Sequence, residues 1–196
     1  MKKILILFAH PALQKSRVNV HLIDGLDRME GITFHDLYQK YPEFDIDVHS
    51  EKKLLEQHDI IVFHHPFFWY STPAILKEWQ DLVLEHGWAY GSKGNALEDK
   101  IFFNVITSGG REEAYQEKGY NHFTIRQLLA PIEQTVNLCK MIFLPPFAVH
   151  GTHSITRERI NSLKRQYHEL LAMFRDEKVV ISKAKRLNYL NDYFKE

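Results

Sequence analysis

Four runs along the chain are apolar at nearly every position: KILILFA (3–9), DIIVFH (59–64), KIFFNVIT (100–107) and CKMIFLPPFAV (139–149). Such runs suit strands covered on both faces, as in a parallel sheet; a half-exposed strand would alternate. GITFHDL (31–37) is shorter and more polar, which places a fifth strand nearer an edge. Between the runs, apolar residues recur at helical spacing. SRVNVHLIDGLDRM (16–29) puts Val18, Leu22, Leu26 and Met29 on one face. STPAILKEWQDLVLEH (71–86) offers Ser or Thr as a cap, Pro73 in the first turn, and a stripe of Ile75, Leu76, Trp79 and Leu82. ITRERINSLKRQYHELLAMFRD (155–176) predicts a long amphipathic helix opened by Thr156. The segment 124–138 predicts a helix interrupted or kinked by Pro131. This alternation of strand and helix predicts an α/β domain, an open sheet wound on both sides.

Residues 1–182 suffice for one such domain, leaving 183–196, KAKRLNYLNDYFKE, as a charged and aromatic extension. Lysine plus arginine equals aspartate plus glutamate at 25 each, so the balance favours neither nucleic acid nor an anionic membrane. The single cysteine, Cys139, excludes an internal disulfide and suits a core thiol. The start, MKKILILFAHP, has the charge of a signal peptide but no small-residue cleavage site, and reads better as a first strand. No segment reaches the roughly 20 apolar residues that span a bilayer. A cytoplasmic protein without direct membrane insertion is expected.

In open α/β sheets, ligands bind beyond the carboxyl ends of the strands. The loop after the first strand ends in Lys15-Ser16-Arg17-Val18-Asn19 at a helix start, where a hydroxyl, a guanidinium and an amide join free backbone N–H groups. That set suits a phosphate. Ser16 also suits a plain helix cap, and for the loop alone the cap is the better reading. Neither GxxxxGK[ST] nor GxGxxG occurs, so a nucleoside triphosphate and a Rossmann dinucleotide site lose support. The loop after the third strand, HPFFWYSTP (65–73), is aromatic where a plain connector would be polar. After the fourth come Ser108-Gly109-Gly110, whose glycines let backbone approach a ligand. A phosphate at one end and a flat ring at the other describe flavin mononucleotide. Twelve histidines raise the question of a metal, with His64, His65, His150 and His153 as candidates. HExxH is absent, however, and adjacent His64 and His65 would point to opposite faces of a strand, so no metal is expected.

These motifs together carry a resemblance. Ala9-His10-Pro11 with Ser16-x-x-Asn19, then His65-Pro66-x-x-Trp69-Tyr70-Ser71-x-Pro73-Ala74-x-Leu76-Lys77-x-Trp79-x-Asp81, resembles the flavodoxin-like NAD(P)H:quinone oxidoreductases. His86–Gly91, Ser108-Gly109-Gly110 and Leu144–Phe147 extend the likeness over about residues 3–175, especially to the bacterial branch with ancillary subunits of glutathione-regulated potassium efflux systems. It implies a five-stranded parallel sheet in the order 2-1-3-4-5. It also implies FMN or FAD as cofactor, NAD(P)H as co-substrate, a quinone-type acceptor and ping-pong two-electron transfer. His10, Ser16, Arg17 and Asn19 would face the flavin phosphate, and Phe67, Phe68, Trp69 and Tyr70 the ring edge. Ser108, Gly109, Gly110 and Arg111 would contact the ring's other side and its ribityl chain. Tyr115 and His122 would serve the acceptor, although Asn121 takes the spacing at which the family has its histidine. The resemblance further implies a homodimer, with Trp79 and Trp88 as interface or core residues. A second reading is a flavin-binding regulatory subunit that docks on a potassium efflux transporter.

Overall fold

The computed structural model describes residues 1–195. Its elements in chain order are β1 (Ile4–Phe8), α1 (Arg17–Ile23), β2 (Ile32–Asp36), α2 (Leu37–Lys40), α3 (Val48–Glu56), β3 (Ile60–Pro66) and α4 (Ala74–Val83). Then follow β4 (Ile101–Thr107), α5 (Ile125–Leu128), α6 (Ala130–Leu138), β5 (Ile142–Phe143), β6 (Phe147–Val149), α7 (Arg157–Arg175) and α8 (Ile181–Ala184). All pairings are parallel, in the order β2-β1-β3-β4-β5, with β6 also on β4. This is the expected doubly wound sheet.

The period-2 alternation divides the core into two layers. Leu5, Leu7, Ile61, Phe63, Phe102 and Ile106 face one side, where Ile75, Leu76 and Trp79 of α4 and Val136 of α6 meet them. Ile4, Ile6, Ile60, Val62, Phe103 and Val105 face the other, against Val18 and Leu22 of α1 and Leu163, Tyr167 and Leu170 of α7.

Four details differ from the sequence reading. The last apolar run is two short strands, because Pro145 and Pro146 between them have no N–H for the ladder. The helix expected over 16–29 stops at Ile23, and Gly25 takes a φ of 91° that other residues avoid. In α4 Pro73 itself occupies the N-cap without a side-chain cap, and Val83 rather than Leu82 turns inward. The interruption expected in 124–138 is present, but it falls at Leu129 and leaves Pro131 near the start of the second helix, while Thr124 forms a capping box on the first.

A fifth difference is α3, absent from the sequence reading. Its inward face carries a carboxylate. Glu51 is 1 % exposed and accepts hydrogen bonds from Tyr41 Oη (2.6 Å), Trp79 Nε1 (2.8 Å) and His35 Nε2 (2.8 Å). Burial alone would raise its pKa; the bonds from His35 and Tyr41, the His35 charge and the Trp79 bond more than offset this and lower it. Glu51→Gln leaves one acceptor oxygen for three donors. Urea denaturation is expected to show a loss of about 2 kcal/mol, as for hydrogen bonds to a charged group. A midpoint within error of the parent would show the carboxylate to be dispensable.

Trp79, 1 % exposed, is core rather than interface. Trp88 is half-buried, donating to Glu56 Oε1 (3.0 Å) beneath Lys52. Cys139 is a buried thiol whose pKa burial pushes up to about 11. Residues 183–195 lie against the sheet rather than apart from it. Leu190 is fully buried, and the Asn191 amide pairs with both backbone groups of Ala148 on β6, at 2.8 and 3.1 Å. Among the described residues, no helix is long and apolar enough to cross a membrane.

Candidate active site

The loops after β1, β3, β4 and β6 enclose a cleft of about 400 Å³ beyond the strand ends. Of the residues singled out in the sequence, His10, Ser16, Arg17, Asn19, Phe67, Phe68 and Gly109 line it. Lys15, Thr107 and His153 line it too and were not assigned from sequence. The sequence raises His153 only as a candidate metal ligand, and nothing in the composition of its loop shows which way the imidazole turns.

One end of the cleft is built of hydrogen-bond donors. Ser16 caps α1: its Oγ accepts from the backbone N–H of Asn19 (3.1 Å) and from Asn19 Nδ2 (3.0 Å). With both acceptor positions filled, the hydroxyl has only its hydrogen left to offer. The Asn19 amide also donates to Thr107 Oγ1 (2.9 Å), so this side chain ties the loop to β4 instead of presenting a donor of its own. His10 is 8 % exposed, and its Nδ1 accepts from Ala12 N–H (3.1 Å), which leaves the ring hydrogen on Nε2. Burial lowers the His10 pKa, so the ring is neutral at pH 7. Lys15 and Arg17 add positive charge at the rim, where Arg17 Nη2 holds the carbonyl of Ile155 (3.1 Å). These donors suit a phosphate monoester.

The other end is apolar. Pro66, Phe67 and Phe68 form its wall, with the Phe68 ring edge-on to His10 at 5.9 Å. Opposite them, Gly109 leaves room that a Cβ would fill, since it would lie 2.5 Å from His153 Nε2. Beyond Phe68 the chain reverses through Trp69 and Tyr70, both left-handed at φ 50° and 64°, and Ser71 N–H bonds Phe68 O at 3.0 Å. Asn-Gly is the usual pair for such a turn. Two bulky aromatics there cost about 1–3 kcal/mol each. The strain sets Trp69 out in solvent, 92 % exposed, and brings the Tyr70 hydroxyl to Asn121 Oδ1 at 3.2 Å.

The remaining sequence candidates lie outside the cleft lining. Ser108 Oγ turns away from it, donating to Gly110 O (3.0 Å) and meeting His150 Nδ1 (3.1 Å). Arg111 lines a neighbouring cavity of about 380 Å³ with His150 and Arg159. Tyr115 is 7 % exposed, packed on Phe67 and His150, with Gly110 close against its ring. His122 sits exposed on a surface loop at φ 59°, and Asn121 beside it makes the bond to Tyr70. Nor do the histidines converge: His64 and His65 are fully buried on opposite faces of β3, with Asn19 and Asn104 as respective partners. Among the described residues, no three side chains of metal-ligating type are grouped to hold an ion.

Residues 2–171 match the family model described as the flavodoxin-like fold. The chain belongs to that family. Within this flavodoxin-like family it is 44% identical over 170 residues to the glutathione-regulated potassium-efflux system ancillary protein KefG of Pectobacterium carotovorum subsp. carotovorum, covering 87% of this chain and 93% of that one. The general stress protein 14 of Treponema denticola, solved in complex with FMN, is 36% identical with a TM-score of 0.83. That match covers 87% of this chain and 98% of the other. An NADPH-quinone reductase of P. pentosaceus is 32% identical with a TM-score of 0.78, over 88% and 97% of the two chains.

Proposed function

We propose that this flavodoxin-like protein is a flavin-dependent NAD(P)H:quinone oxidoreductase, with FMN as its cofactor. The cleft carries this reading: phosphate-binding donors stand at one end, and an aromatic wall faces a glycine at the other. The likeness to an FMN-bound relative and to an NADPH-quinone reductase supports it. Ser16, His10, Lys15 and Arg17 would hold the phosphate. Phe67, Phe68 and Gly109 would enclose the ring, and Ser108, Gly110 and Arg111 belong to the same glycine loop.

Bound flavin supplies a ring able to take up and return two electrons as a hydride. The protein's share is position and exclusion of water. Phe68 and Pro66 offer the ring an apolar wall, and neutral His10 places no charge against it. Donor and acceptor enter one cleft in turn, which gives ping-pong kinetics. Tyr115, whose phenol keeps its proton at neutral pH and whose pKa burial moves further up, we assign to orient the acceptor. Trp69, held in solvent by a strained turn, suits a contact with a second copy in a homodimer that covers the flavin.

Mass spectrometry of the chromophore released from purified protein tests the cofactor. FMN is the expected species, with NAD(P)H oxidised only when a quinone is present. Folded protein that takes up neither FMN nor FAD when both are in excess would end this reading. The 44% identity to the potassium-efflux ancillary protein favours a second role, docking on a transporter at the inner membrane face. Co-purification with a membrane-embedded partner from the native host checks that role.

A further inference from the structure

A buried chain of hydrogen bonds runs from the donor end of the cleft into the core. Its far member is Tyr167 of α7, whose hydroxyl lies 3.4 Å from His64 Nδ1. His64 Nε2 lies 3.2 Å from Asn19 Oδ1. Asn19 Nδ2 reaches Ser16 Oγ and Thr107 Oγ1. His64 is fully buried and clamped edge-on between Phe8 (5.1 Å) and Tyr167 (5.4 Å), so the ring cannot swing away.

The direction of the bonds matters more than their number. An asparagine amide fits such a site in two ways, related by exchange of oxygen and nitrogen. With Nδ2 toward Ser16 and Thr107, both hydroxyls accept and the Ser16 hydrogen stays free. In the exchanged form Oδ1 would lie there instead, and Ser16 would spend its hydrogen on Asn19. An imidazole N–H on Nε2 would face Oδ1 and select the first form, and the Tyr167 hydroxyl, by donating to Nδ1, would keep that hydrogen on Nε2. We propose that His64, through Asn19, is a positioning residue that turns the Ser16 hydroxyl outward as a phosphate donor. The inference rests on the reading of the cleft as a flavin phosphate site. His64 is not itself part of the cleft lining and reaches it only through Asn19, and the sequence assigned it no role beyond a rejected metal site.

The test is titration of FMN and of riboflavin, which lacks the phosphate, into the flavin-free full chain and its variants. His64→Leu cannot donate to Asn19; it should weaken FMN binding about 10- to 100-fold, as expected for a lost bond to a charged group. Riboflavin affinity should stay within about threefold. His64→Gln, whose amide replaces the Nε2 donor, should recover FMN binding, and Tyr167→Phe should show the same selective loss to a smaller degree. Equal losses for both ligands would make His64 merely structural and overturn the proposal, as would an unchanged FMN affinity. Should His64→Leu not fold, the Gln and Phe variants decide by the same FMN-to-riboflavin ratio. Parent protein that binds neither ligand refutes the flavin reading itself; parent that binds both, with a ratio unmoved in every variant, refutes only the role of His64.

Discussion

Lowering the pH from 7.5 to 5.0 should destabilise the fold by on the order of 4 kcal/mol, before most carboxylates begin to take up protons. The cause is a set of buried neutral imidazoles. Burial, with smaller repulsion from nearby imidazoles, pushes the His64 pKa down to about 3, and burial pushes His150 down to about 4. In the unfolded chain each titrates near the ordinary imidazole value of 6.5. The folded values are the lower ones, so the stabilisation is complete above pH 6.5. It declines as the pH falls below that value and is exhausted once the folded pKa is passed. At pH 5 each of these two groups has given up about 2 kcal/mol, a large part of a typical domain's stability. His10, His58, His65 and His168, all lowered chiefly by burial, act in the same direction. Urea midpoints at the two pH values, with free flavin held constant, are the measurement. His64→Gln should remove about 2 kcal/mol of the difference. Equal midpoints for the parent protein would contradict the buried neutral state.

Ser16→Asp should abolish FMN retention while leaving the fold intact. Aspartate caps a helix about as well as serine, so α1 keeps its start. Its carboxylate, however, replaces a donor with a like charge facing the phosphate. Two unit charges 4 Å apart repel by roughly 4 kcal/mol at an effective dielectric near 20. FMN affinity should therefore fall about 10³-fold, with riboflavin far less affected. Fluorescence titration separates the two ligands, and far-ultraviolet circular dichroism checks the fold. An aspartate variant that still purifies with FMN would move the phosphate elsewhere.

The central strands were legible because Ile4–Phe8, Ile60–Pro66 and Ile101–Thr107 are covered on both faces and are apolar except at His64, His65, Asn104 and Thr107. The same rule hid α3. Its inward positions are Glu51 and Leu55, and a buried carboxylate reads as surface until Tyr41, Trp79 and His35 are seen around it. At the site, loop membership was legible and side-chain direction was not. Ser16 and Gly109 follow from helix capping and close approach, which are properties of the local chain. Arg111 and Ser108 share the loop of Gly109, yet Ser108 meets His150 and Arg111 lines a separate cavity with it, and His150 comes from after β6. The strained turn at Trp69 and Tyr70 carries no Asn-Gly signature, so only the backbone angles reveal it.

The Asn191 amide has a further consequence. It meets Ala148 as a neighbouring peptide group would, donating to its carbonyl and accepting from its N–H. One margin of the sheet is thereby sealed by this side chain, together with the Leu190 N–H on Pro146 O (2.9 Å), rather than by another strand. A chain cut back to residue 182 would bare that margin and invite extended peptides, including its own copies, to dock along it. Self-association and clumping on storage, more than loss of flavin chemistry, would mark such a truncated protein.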